Sequence, residues 1–102
     1  MSAYWLSYDF SSPENFDGFY KWLASLPAPA KECGFYTVLI DFDGDISELK
    51  KILSKTVKGI SSERVYVIRK KENKAVGSFL FGKRRVRNPW DIYLEVEAEE
   101  DE

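Results

Sequence analysis

The chain contains no histidine and a single cysteine in 102 residues. Without histidine there is no His-based catalytic triad, no His-ligated zinc and no imidazole general base. One thiol, Cys33, excludes an internal disulfide framework and suits a reducing compartment. No activating base or helix terminus is recognisable beside it, so it reads as a half-buried bystander rather than a nucleophile. No apolar run approaches the roughly 18 residues that mark a bilayer-spanning helix. The first residues, MSAYWLSYDF, offer neither a basic n-region nor a small-residue cleavage site, and a cytoplasmic location is expected. A further absence is local: no acidic residue occurs between Lys74 and Pro89.

What is present suffices for one core. Hydrophobic residues make up 44% of the chain and aromatics 16%, at a length typical of one domain. The domain is expected to span residues 1–98, with an acidic, solvated tail over 99–102. The net charge of −2 conceals a strong polarity. Met1–Lys50 holds 3 basic and 8 acidic residues, Lys51–Arg87 holds 12 and 2, and Asn88–Glu102 holds none and 7. The chain is thus acidic, then basic, then acidic.

Hydrophobic periodicity orders the elements. Ala3 to Phe10 alternates, with Tyr4, Leu6, Tyr8 and Phe10 on one face, and predicts a first strand. Ser11-Ser12-Pro13-Glu14 supplies a helix start with Ser11 as the cap, and Phe16, Phe19, Tyr20, Leu23 and Leu26 follow at helical spacing. Pro27-Ala28-Pro29 ends that helix. Gly34 to Phe42 is a near-continuous apolar run, which predicts a central strand covered on both faces. Asp45 caps a second helix lined by Ile46, Leu49, Ile52, Leu53 and Val57, with Gly59 as its stop. Arg64–Lys70 and Ala75–Phe81 predict a hairpin about Lys71-Glu72-Asn73-Lys74. Trp90 to Glu97 alternates cleanly and predicts a last strand. This order suits an α+β sandwich, both helices on one face of a mainly antiparallel sheet, with an extra C-terminal hairpin or strand.

Two motifs invite catalytic readings. Val38–Ile46, VLIDFDGDI, resembles the first motif of haloacid-dehalogenase-type phosphatases, which would make Asp41 the nucleophile and Asp43 the acid/base. Asp45 stands where that motif carries Thr or Ser, and the family's sheet exceeds this chain. A strand end, a glycine turn and a helix cap explain the same residues. An EF-hand fails on spacing, since Gly44 comes too early after Asp41 and position twelve is Ile52.

Tyr8-Asp9, closing the first strand, carries the other resemblance. A strand ending in Tyr-Asp, a helix, a compact apolar strand region, a helix and a further strand are similar to the small CRISPR-associated nuclease-like family of the adaptation complex and its VapD-type toxin relatives. That resemblance covers roughly Ala3 to Lys70. It implies a ferredoxin-like fold, which needs two short strands within Lys31–Gly44, and a homodimer. It also implies a catalytic Asp9 from each subunit, the pair holding Mg2+. The competing reading of Asp9 is a carboxylate near the first helix's N-terminus, favoured by the helix dipole.

The remaining signal is FGKRRVRNPW, Phe81 to Trp90, which places four cations within five positions and an aromatic at each end. In an extended segment Lys83, Arg85 and Arg87 would share a face. Arg69, Lys70, Lys71 and Lys74 lie near the hairpin turn, at its opposite end. Such cations neutralise phosphates, and Tyr66, Phe79, Phe81 or Trp90 offer rings for bases. The expected function is nucleic-acid binding, RNA or DNA, largely independent of sequence, through Lys70, Lys71, Lys74, Lys83, Arg84, Arg85, Arg87 and Trp90. The alternatives are a metal-dependent nuclease using paired Asp9 and a protein-interaction module for an acidic partner. A solubilising edge charge or pairing with Glu95–Glu102 would account for the same cations without any ligand.

Overall fold

The computed structural model describes residues 2–59 and 62–94. Alternation along β1 (Ser2–Asp9) sends Tyr4, Leu6 and Tyr8 into the interior and leaves Ala3, Trp5, Ser7 and Asp9 on the other side. Helix α1 (Pro13–Ala24) follows, then β2 (Lys31–Gly34), β3 (Thr37–Phe42), α2 (Ile46–Thr56), β4 (Arg64–Lys71) and β5 (Lys74–Phe81). The five strands form one sheet in the order β2-β3-β1-β4-β5, every neighbouring pair antiparallel. Placing β1 between β3 and β4 gives the ferredoxin-like α+β arrangement, with β5 added outside β4.

Register decides which residues share a face. Leu6 lies opposite Val38 on one side and Val67 on the other, and all three are buried. Phe19 of α1 and Leu49 and Leu53 of α2 are fully buried in the same cluster, so both helices cover this face. Each such side chain stabilises the fold by about 1.5–3 kcal/mol through apolar burial. Trp5 lies opposite Leu39 and Ile68, and Tyr66 opposite Ser7 and Phe79, on the face that carries no described helix.

The structure departs from the sequence expectation at four places. The N-cap of α1 is Ser12, whose hydroxyl accepts from the Glu14 backbone N–H, because Ser11 is already engaged elsewhere. The apolar run Gly34–Phe42 is not one strand covered on both faces. Phe35 and Tyr36, the latter at φ 56°, turn the chain between β2 and β3, and Thr37, Leu39 and Asp41 stay partly exposed. The last strand, Trp90–Glu97, does not form among its described residues. Asp91–Leu94 make a single helical turn instead, and Glu95–Glu97 lie outside the described residues, as does the expected tail. The Asp91 carboxylate accepts from the Asn88 backbone N–H at 2.8 Å, and the Asp91 N–H donates to the Asn88 carbonyl at 3.1 Å. With Pro89 in the first position, this reciprocal cap overrides the alternating pattern. Cys33 is exposed on β2, not half-buried.

A buried carboxylate ties β4 to α1. Glu63, 1% exposed, accepts from the Ser11 backbone N–H at 2.9 Å, from the Ser11 hydroxyl and from Asn15 Nδ2 at 2.9 Å. Asn15 in turn donates to the Lys58 carbonyl and accepts from the Lys58 N–H, both at 2.8 Å. Burial alone would raise the Glu63 pKa, but the Ser11 and Asn15 donors outweigh it and hold it below its ordinary value.

Candidate nucleic-acid interface

Glycine and arginine set the geometry where β5 ends. Gly82, at φ 75°, adopts a left-handed conformation and turns the chain away from β4. A Cβ there would approach the Glu63 carbonyl oxygen to 2.6 Å, so only glycine fits without a shift. The segment after it is not an extended strand, and its cations diverge. The Arg84 guanidinium lies 5.6 Å from the Phe79 ring centre and 6.0 Å from that of Tyr66. Arg85 reaches the Asp9 carboxylate at 4.0 Å. Lys83 and Arg85 line one depression with Asp9, Ser11, Ser62 and Arg64. A second is lined by Arg64, Arg84, Arg85, Asn88, Pro89 and Trp90. The structure therefore brings Lys83, Arg84, Arg85 and Trp90 together with Arg64, while Arg87 is exposed outside both depressions.

The turn cations stand apart from this cluster. Glu72 and Asn73, at φ 53° and 67°, make the two-residue turn between β4 and β5, with Lys71 paired to Lys74 and Lys70 to Ala75. At about 3.3 Å per residue, Lys71 lies about 23 Å along β4 from Arg64. Lys70, Lys71 and Lys74 thus form a second cationic group at the other end of the hairpin. Arg69 projects toward the helix-covered side beside Tyr4, and its Nε is buried without a hydrogen-bond partner among the described residues.

The rings sort in the same way. Tyr66 and Phe79 meet edge to face at 4.9 Å on the open side of the sheet. Phe81 is buried in the core and offers no face to a ligand. Trp90 is more than half exposed. Two contributors escaped the sequence reading. In the sequence Arg64 marks only the start of a strand, and Trp5 only one position of an alternation. The signal for Trp5 was its parity, since a large apolar side chain at an outward-facing position of a half-buried strand is informative.

Asp9 precedes Ser12, the N-cap of α1, and is taken up by arginines. Its carboxylate accepts from Arg64 Nε at 3.2 Å and from an Arg64 terminal nitrogen, with Arg85 close by. Two guanidinium groups around one carboxylate oppose a further cation, and the described residues hold no group of three or more Asp, Glu, Cys or His suited to a metal. Within one subunit these residues do not fit Mg2+, and we derive no step through it. The aspartates of VLIDFDGDI are likewise spread out: Asp41 sits on the open face of β3, and Asp45 caps α2 by accepting from the Glu48 N–H at 2.9 Å.

No family model, curated protein or solved structure matches this chain.

Proposed function

We propose that this protein binds nucleic acid through the cationic segment after β5, with little dependence on sequence. The observation that carries the reading is the gathering of Arg64, Lys83, Arg84 and Arg85 beside Tyr66, Phe79 and Trp90 at one end of the sheet. Guanidinium groups neutralise phosphates, and rings beside them accept bases. No described recognition helix reaches from this cluster, and strand and loop cations of this kind position a backbone without reading base edges. The second cationic group, Lys70, Lys71 and Lys74, would extend the track along β4.

A nuclease retains Asp9 alone as a candidate, and that residue is held by Arg64. A protein-interaction module is favoured by the exposed Trp90, Ile92, Tyr93 and Leu94. Titration of fluorescently labelled single-stranded RNA and DNA in low salt, with and without Mg2+ or Mn2+, separates the three. We expect saturable binding of both polymers with the strands left intact. Metal-dependent cleavage lost in Asp9→Asn would replace binding with catalysis. Retention of neither polymer, with capture of an acidic polypeptide instead, would favour the interaction module.

A further inference from the structure

The face of the sheet opposite the helices carries an apolar centre that lies outside the core cluster. Its central rung crosses four strands as Leu39, Trp5, Ile68 and Gly77. The next rung reads Thr37, Ser7, Tyr66 and Phe79. Trp5 and Tyr66 are diagonal neighbours in register across β1 and β4, and the Tyr66 ring leans away from Trp5 toward β5, where it meets Phe79. Gly77 fixes the pose of Tyr66: a Cβ there would come within 2.8 Å of ring atoms Cε2 and Cζ, so the ring lies down over the glycine backbone. A tyrosine lying along a sheet turns a flat surface outward. Along β4 this face presents Arg64, Tyr66, Ile68 and Lys70, a cation at each end of an apolar middle, with about 6.6 Å between successive members.

We infer that this open face binds a single-stranded polynucleotide, with Trp5 and Tyr66 stacking neighbouring bases and Arg64, Lys70 and Arg84 holding the phosphates. The inference rests on the nucleic-acid reading above and adds to it the surface and the strandedness of the ligand. Complementarity selects the occupant. The ligand must be anionic along its length, because cations frame the platform at Arg64, Lys70, Arg84 and Arg85, and one of the two open-face carboxylates, Asp9, is already paired. It must also present flat apolar groups at short intervals, which a single strand does and a duplex, with its bases stacked inside, does not. A second copy of the chain laid face to face would oppose cation to cation. Arg84, now against Tyr66 and Phe79, is placed to sandwich a base or to shift to a phosphate beside it.

The wild-type protein tests this directly. A 12-nucleotide oligouridylate carrying 4-thiouridine is crosslinked by near-ultraviolet light, and the modified peptides are mapped by mass spectrometry. We expect crosslinks at Trp5 and Tyr66. In parallel, Trp5→Leu, which keeps apolar bulk and removes the ring, should bind the unmodified oligouridylate roughly 5- to 160-fold more weakly, the range for loss of one base stack. A duplex of equal length should bind more weakly than the single strand at the same salt. Crosslinks confined to Lys83–Trp90, with Trp5→Leu binding unchanged, would overturn the platform and leave nucleic-acid binding by the cationic segment standing. Quenching of the protein's tryptophan emission by polyglutamate in place of oligouridylate, lost in Trp5→Leu, would assign the face to an acidic peptide and overturn it too. Failure of both single strand and duplex to bind would remove the broader reading and this one with it.

Discussion

Glu63 is a carboxylate withdrawn from water and served by neutral donors, with no salt bridge reaching it among the described residues. Its three accepted bonds hold the loop before β4 against the start of α1. Glu63→Gln keeps the shape but turns an N–H toward groups that must donate, leaving at least one buried donor unsatisfied. We expect a loss of about 1–3 kcal/mol in chemical denaturation. The pH dependence follows from the lowered pKa. The group contributes stability that is fully present above its ordinary value of 4.5 and is lost as pH falls through the lower folded value. Thermal melts of the wild type should therefore weaken on acidification below that point, and Glu63→Gln should lack this component. Tyr8 moves the other way: burial, then the hydrogen bond to Tyr20 at 3.2 Å, raise its pKa and keep the phenol neutral. Neither group was legible as special in the sequence, because each depends on a partner distant along the chain.

At the scale of elements, the legible parts were those set by neighbours in sequence. The α2 cap Asp45, its buried Leu49 and Leu53, and the β4–β5 hairpin follow from local spacing and turn chemistry. The turn was visible, but not its strain: Glu72 sits in the left-handed region, which costs about 1 kcal/mol for a residue with a Cβ. Glu72→Asn should recover much of this and raise the melting temperature by about 4–8 °C per kcal/mol for a domain near this size. An unchanged or lower melting temperature would show that the turn is not where stability is lost. The C-terminal alternation misled because Asp91 can cap Asn88, and a side chain-to-backbone bond decides the conformation before periodicity does. The β2–β3 turn was hidden inside an apolar run, since Phe35 and Tyr36 are not turn residues by type. At the site, the cluster Lys83–Arg87 was plain from composition. Its division between ring and carboxylate was not, because Gly82 redirects the chain and Arg64 arrives from another strand.

For the whole molecule, among the described residues β5 has a partner on one side only, and an unpaired backbone edge is a template for association. The homodimer suggested by the family resemblance is proposed to form there rather than through the last strand, which is absent from the described residues. Light scattering should give twice the mass of the chain, and a monomer alone at high micromolar concentration would contradict it. Removing Glu99–Glu102 should strengthen polynucleotide binding if these acidic residues compete for the cations that bind phosphate, an effect that shrinks in high salt. Phosphates would meet those cations first, and the salt dependence of affinity counts the contacts. Each phosphate neutralised on a single strand contributes about −0.7 to the slope of log affinity against log salt. Three or four contacts from Arg64, Lys83, Arg84 and Arg85 give roughly −2 to −3 for the wild type. The Arg84→Ala, Arg85→Ala, Arg87→Ala triple variant, checked for folding by circular dichroism, should bind more weakly across sequences and with a flatter slope. Equal affinity of triple variant and wild type for single-stranded RNA and DNA in low salt would contradict the account, leaving the cluster a solvated edge.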